Sequence, residues 1–278
     1  MICYPNAKIN LGLNIVSKRD DGYHNLETVF LPVMGLCDEL DITPADIAAP
    51  YFFVQEGMAV DCAAADNLIV RALMCVRERY PQTGNVHIRF RKRIPFGAGL
   101  GGGSADAAFT VRTLNALFGL RMTDAEMEAL VSPLGADCAF FIQNRPRLAQ
   151  GIGDVFSEVP DGLLAELHNR WLLLVKPDCA VSTREAYGGI CPRRPTMRLP
   201  QALAQPIDTW QQTVVNDFET SVFPLFPEIA ECKRLLIANG ARYAAMSGSG
   251  ATVFGIFDNE PLFALPNGVF YHKEQIQI

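Results

Sequence analysis

Strict alternation marks the start of the chain. Over residues 7–16, Ile9, Leu11, Leu13 and Ile15 fall on one side, and Lys8, Asn10, Gly12 and Asn14 on the other. A period of two predicts a half-buried strand. Asp21-Gly22 supplies a turn, and a second strand is predicted over 26–33. The period then lengthens. Leu68, Ile69, Ala72, Leu73 and Val76 predict a helix over 67–80, with Asp66 as its N-cap and Pro81 as its stop. Val86, Ile88 and Phe90 alternate with His87, Arg89 and Arg91 in another half-exposed strand. A helix over 105–118 should end at Gly119, and Thr123 and Glu126 have the capping-box spacing of a short helix that Pro133 closes. Residues 137–142 form an apolar segment with Asp137 as its natural N-cap.

The polar stretch around 144–147 suggests a boundary, giving two domains over 1–145 and 146–278. Beyond it, a buried strand is predicted over 171–175 and helices near 210–220 and 228–239, the latter stopped by Gly240. Strands over 243–246 and 252–257 flank a Ser-Gly-Ser-Gly turn. Strands and helices mix without a regular βαβ rhythm, so the expected class is α+β.

Composition narrows the function classes. With 278 residues, 49% of them hydrophobic, the chain can bury a sizeable core. A net charge of −6 argues against a general nucleic-acid binder or an anionic-membrane binder. The first residues lack the pattern of a signal peptide, and no apolar run reaches the ~18 residues of a membrane span. Eight scattered cysteines without a Cys-x-x-Cys pair read as reduced thiols of a cytoplasmic protein. Four isolated histidines argue against a zinc site.

The chemistry concentrates at residues 97–104, Gly97-Ala98-Gly99-Leu100-Gly101-Gly102-Gly103-Ser104, which place five glycines just before a predicted helix. Glycine tolerates positive φ and lets backbone N–H groups approach a ligand, and the helix start adds unpaired N–H groups with a partial positive charge. Such a loop can cradle phosphate, or it can be a tightly packed turn. Gly97-x-Gly99-x-x-Gly102 matches the dinucleotide fingerprint formally, but the strand before it alternates, whereas a central parallel strand should be almost wholly apolar. No lysine follows the glycines as a Walker A loop requires, and a protein-kinase glycine loop lies in a hairpin, not before a helix.

Three segments together resemble the galactokinase–homoserine kinase–mevalonate kinase–phosphomevalonate kinase family. They are Pro5-Asn6-Ala7-Lys8-Ile9-Asn10-Leu11-Gly12-Leu13, Pro95-Phe96-Gly97 through Ser104-Ala105-Asp106-Ala107-Ala108, and Met246-Ser247-Gly248-Ser249-Gly250-Ala251-Thr252-Val253-Phe254. Asp21-Gly22-Tyr23-His24, Asp66-Asn67-Leu68-Ile69, Gly135-Ala136-Asp137 and Gly151-Ile152-Gly153-Asp154 are similar to the branch that phosphorylates a cytidine diphosphate-linked methylerythritol. Homoserine- or mevalonate-type kinases of the same family are the alternative. Cys138-Ala139 stands where this branch usually has Val-Pro.

The resemblance implies an ATP-dependent kinase with a small-molecule alcohol acceptor, using Mg²⁺ and acting as a monomer or homodimer. It implies an N-terminal domain like ribosomal protein S5 domain 2 and a C-terminal ferredoxin-like α/β sandwich. Lys8 and Asp137 are the implied catalytic pair, Asp137 orienting the hydroxyl and collecting its proton while Lys8 stabilises negative charge. Asn10, Tyr23, His24, Thr183 and Tyr187 are implied to bind the acceptor, with Tyr23 and Tyr187 clamping the pyrimidine. Asn67, Pro95, Gly97, Ala98, Gly99, Leu100, Gly101, Gly102, Gly103 and Ser104 are implied to bind ATP. The basic residues Arg89, Arg91, Lys92 and Arg93 read as a solvated strand face, with Lys92 a further nucleotide candidate.

Overall fold

The computed structural model describes residues 1–59 and 62–277, so Ile278, the end of the second predicted domain, lies outside the described residues. They form two compact units, neither continuous in sequence. Met1–Lys8, Leu36–Phe96 and Gly101–Arg145 make the first, and Ile9–Gly35, Gly97–Leu100 and Pro146–Ile278 the second. The expected break after residue 145 is one of the points where the chain passes between them. Residues 9–35 go with the second unit because strand His24–Cys37 pairs with Arg147–Gln150, Val29 opposite Leu148.

In the first unit, strands Ile2–Cys3, Glu39–Pro44, Val86–Lys92 and Tyr51–Gly57 lie in that order. Pairing is antiparallel except for Tyr51–Gly57, which runs parallel to Val86–Lys92. The predicted alternation holds, with Val86, Ile88, Phe90 and Lys92 buried and the residues between them exposed. Two helices, Leu68–Arg79 and Gly102–Phe118, pack against each other. The first buries Ile69, Val70, Ala72, Leu73 and Val76, and the second meets it with a stripe containing Ala105, Ala108 and Val111. Its cap is Asn67, whose side-chain oxygen accepts from the Ile69 N–H at 3.0 Å, and not the expected Asp66, which lies in a preceding 3₁₀ turn.

The second helix starts at Gly102, three residues earlier than expected, because Gly101 takes the left-handed conformation (φ 70°) and turns the chain straight into it. Gly119 closes it, also left-handed, and the capping box of Thr123 and Glu126 opens helix Asp124–Val131 as predicted. Asp137 is not an N-cap. Helix Phe140–Gln143 begins after Ala139 without a side-chain cap, which leaves the Asp137 carboxylate for other partners.

The second unit holds two sheets. Tyr243–Met246, Val253–Phe257, Trp171–Lys176 and Phe270–Gln275 lie in that order, all antiparallel. Numbered along the chain from Trp171–Lys176, this is the 2-3-1-4 order expected of a ferredoxin-like sheet. Helix Pro227–Ala238 covers it, Ile229, Cys232 and Leu236 sharing a core with Leu173, Val175, Ala244 and Val253. The other sheet orders Asn6–Lys18, His24–Cys37, Arg147–Gln150 and Val155–Glu158. The α+β class therefore holds.

Two further expectations fail. Strand Asn6–Lys18 is not half-buried, since both of its faces are covered from Asn6 to Ile15. A helix through 210–220 is interrupted. Helix Trp210–Thr213 stops, the chain bridges to Leu13 at Asn216 and turns, and helix Glu219–Leu225 resumes. This stretch hydrogen-bonds the strand, Leu13 N–H donating to Val215 O and Asp217 N–H to Leu13 O, both at 2.8 Å. Among the described residues no helix is long and apolar enough to cross a membrane.

Candidate active site

Lys8 and Asn10 are neighbours on one strand face, but they work in different surroundings. In the first unit, Lys8 is 3% exposed and its Nζ lies 3.1 Å from Asp137 Oδ2. The Asp137 side chain keeps 30% of its surface accessible, so the buried ammonium is matched by a carboxylate that still faces solvent. Gly101 packs against the lysine of this pair. A Cβ there would sit 3.0 Å from the Lys8 side chain and from the ring of Phe141. The helix start, the lysine and the aspartate are thus brought together.

Ser104 and Cys138 belong to the same region, the thiol hydrogen-bonding the serine. Burial pushes the Cys138 thiol up to about 11, the bond to Ser104 offsetting part of the rise, so it stays protonated at neutral pH. The Cys138 departure from the family pattern adds no reactive thiolate. Asn67 is 8% exposed, and with one acceptor site of its oxygen used in the helix cap its amide N–H groups can still serve a ligand.

Lys92 is neither on a solvated face nor open to a nucleotide. Its ammonium is 3% exposed and donates to Asp38 Oδ2 at 2.5 Å and Asp106 Oδ2 at 2.9 Å. Asp38 also accepts the Arg93 and Ile94 N–H groups. Burial alone would lower the Lys92 pKa, but the attraction of Asp106 and Asp38 outweighs it and the net shift is upward. Burial holds the Asp106 carboxyl well above the carboxylate range, Lys92 pulling against it and Asp38 adding to it. The cluster lies at the start of helix Gly102–Phe118, since a Cβ on Gly102 would approach Lys92 Nζ to 2.8 Å. Arg89 and Arg91 pair instead with Glu56, and Arg93 with Glu39.

In the second unit, Gly97 and Gly99 are left-handed (φ 60° and 72°), while Ala98 between them and Leu100 after them are buried. A chain whose alternate residues are left-handed can turn successive N–H groups toward one side, as an anion-binding nest does. Ser247 fastens this stretch, its hydroxyl donating to Gly99 O at 2.9 Å while accepting Asn10 N–H at 3.2 Å, and Thr252 N–H donates to Ala98 O. Gly99 approaches so closely that a Cβ would lie 2.1 Å from Ser247 O. The Asn10 amide donates to Thr28 Oγ1 at 3.1 Å, so its face too is built of polar partners and not water. Pro95 and Phe96, in the first unit, are half-buried and exposed.

Two of the residues implied for the acceptor meet. His24 stacks on Tyr187 with ring centroids 4.9 Å apart, and Tyr187 in turn meets Phe218 edge-on. Thr183 opens the short helix Thr183–Gly188 that carries Tyr187 and is exposed. Tyr23 is 61% exposed. Burial, and then the Lys18 charge, lower the His24 pKa, leaving a neutral imidazole at neutral pH. Sequence reasoning missed Asp38, Asp106 and Asn216, whose partners lie far along the chain.

Profiles described as GHMP kinases N terminal domain and GHMP kinases C terminal match residues 67–145 and 200–264. A 4-diphosphocytidyl-2-C-methyl-D-erythritol kinase of Parabacteroides distasonis is 48% identical over 95% of this chain and 94% of its own. The chain belongs to the GHMP kinase family. Another kinase of the same description, from Bacteroides fragilis, is 49% identical over 94% of this chain and 93% of its own. A crystal structure of 4-(cytidine 5'-diphospho)-2C-methyl-D-erythritol kinase is 33% identical and superposes with a TM-score of 0.76 over 92% of this chain and 90% of that one. As a GHMP kinase the chain uses ATP on a small-molecule acceptor.

Proposed function

We propose that this GHMP kinase transfers the γ-phosphoryl group of ATP to the 2-hydroxyl of 4-diphosphocytidyl-2-C-methyl-D-erythritol, giving the 2-phosphate and ADP in the non-mevalonate route to isoprenoid precursors. Similarity along nearly the whole chain to kinases of that description supports the acceptor. For the chemistry, the observation that carries the reading is the 3.1 Å contact of Asp137 with Lys8, the lysine packed against Gly101.

Phosphoryl transfer requires the hydroxyl in line with the γ-phosphate and positive charge near the developing negative charge. Asp137 accepts a hydrogen bond from the acceptor hydroxyl, orients its oxygen and collects the proton as the bond to phosphorus forms. Lys8 holds Asp137 and stabilises charge on the transferring group. The N–H groups of residues 97–104 bind the phosphates, and the free amide of Asn67 binds nearer the base. Asn10, His24, Thr183, Tyr187 and Tyr23 serve the acceptor, the last two enclosing its pyrimidine when bound.

Among the described residues there is no cluster of three or more metal-ligating side chains. A Mg²⁺ carried by the nucleotide phosphates needs only one or two protein oxygens. Ser104 would be such an oxygen, and the ion would neutralise phosphate charge. The reading includes a cytoplasmic monomer or homodimer, with domains over 1–145 and 146–278.

An ADP-release assay with the cytidine diphosphate-linked acceptor, homoserine and mevalonate tests this directly. Turnover is expected with the first alone, and Lys8→Ala should lower kcat by about 100-fold or more. Turnover of homoserine or mevalonate instead, or a Lys8→Ala enzyme of normal kcat, would overturn it.

A further inference from the structure

Asn216 lies outside every motif singled out in the sequence, yet it is 2% exposed and fully engaged. Its Nδ2 donates to Met246 O at 2.7 Å and Gly248 O at 2.8 Å, and its Oδ1 accepts Phe218 N–H at 3.0 Å. One amide nitrogen therefore spans both sides of Ser247, whose hydroxyl donates to Gly99 O and whose carbonyl lies against Gly99 Cα. The same stretch is pinned to strand Asn6–Lys18 by the backbone bonds at Leu13 and by Ile15 N–H donating to Asp217 Oδ2 at 2.7 Å. An unbroken line of contacts runs from the strand carrying Asn10, through Asn216, to the stretch Gly97–Leu100, all within one unit.

We infer that Asn216 is a positioning residue for ATP. By holding the two carbonyls that flank Ser247, it sets the height at which Gly99 and its neighbours present their N–H groups to phosphate. The inference rests on the kinase reading above. It also accounts for the broken helix at 214–217. A continuous helix would point its N–H and C=O groups along its own axis, whereas this stretch spends them on Leu13 and presents the Asn216 amide to the turn.

Only an amide supplies two donors and one acceptor in this geometry. Asn216→Asp keeps the shape, but its carboxylate sets acceptor against acceptor at Met246 O and Gly248 O. When protonated it regains one donor. Burial raises the pKa of such a carboxyl, so recovery should begin above the ordinary carboxylate range. The charged groups packed around it are Asp217, Arg193 at 3.8 Å from Asp217, and Glu219, which accepts Met246 N–H and pairs with Lys233. Each is present in the wild type, so comparison at equal pH isolates the substituted position.

The experiment is calorimetric titration of ATP with Mg²⁺ into wild type, Asn216→Asp and Asn216→Ala, with steady-state kinetics on both substrates and thermal unfolding as a check on folding. Both variants should bind ATP roughly tenfold or more weakly, raise KM for ATP and leave KM for the acceptor nearly unchanged. As pH falls, the Asp variant's defect relative to wild type should narrow while the Ala variant's does not. Should both variants fail to fold, Ser247→Ala leaves Asn216 in place and removes the hydroxyl's bonds to Gly99 O and from Asn10 N–H, and the same loss on the ATP side is expected. A folded variant that binds ATP like wild type, or one that loses both substrates equally, overturns the inference. A wild type that binds no ATP sinks the kinase reading along with it.

Discussion

The glycine loop is held by two different kinds of chemistry. The arm at 101–104 rests on ions, with Lys92, Asp38 and Asp106 buried at the start of its helix and Lys8, paired with Asp137, beside Gly101. The arm at Gly97–Leu100 rests on neutral hydrogen bonds from Ser247 and Thr252, themselves braced by Asn216. The difference is physical and not decorative. Buried charges are held strongly but at a large desolvation cost, so removing one leaves its partners exposed to that cost. Neutral bonds contribute little each, about 1 kcal/mol net, but they fix atoms to within tenths of an ångström. The ionic arm should therefore govern stability, and the neutral arm should govern fit to the nucleotide.

The largest effect should come from Lys92→Met, which strands two buried carboxyl groups and should cost about 3–5 kcal/mol of stability, read by chemical denaturation. A fall in ATP affinity without loss of stability would break the comparison. Next, Gly99→Ala puts a Cβ 2.1 Å from Ser247 O at φ 72°. The loop must shift by most of an ångström, which should lower kcat/KM for ATP by about 100-fold with a much smaller change in stability. The smallest effect is in the pH dependence. Asp106 has a folded pKa raised above the ordinary 3.8. Its contribution is complete below that value and is lost as pH climbs through the folded pKa. Asp106→Asn should therefore gain stability relative to wild type as pH rises through that range, and denaturation at a series of pH values should show the two curves diverging. Parallel curves would mean that Asp106 is ionised throughout.

Much of this was readable from local pattern. The capping box at Thr123, the stop at Gly119 and the alternation of Val86–Lys92 depend on residues within one turn or one pleat of each other. The glycine loop before a helix was equally plain, though not where the helix begins, because a left-handed Gly101 lets it start directly. What failed was the fate of polar side chains. Lys8, Asn10 and Lys92 look like water-facing positions, and each is 3% exposed because its partner lies elsewhere in the chain. Asp66 and Asn67 are both good caps by composition, and only the geometry of the entering chain chose between them. The helix expected through 210–220 yields to pairing with a strand some two hundred residues earlier.

The sequence by itself determined the local conformations, where steric freedom at glycine, capping chemistry and hydrophobic period leave few choices, and with them the loop and the kinase family it resembles. Only the tertiary structure decided which polar groups would be brought together: Lys92 with Asp38 and Asp106, Asn216 with the turn at Ser247, Tyr187 with His24. The reason is that a polar group's environment is set by desolvation and by whichever partner packing delivers, and no short stretch of sequence records either.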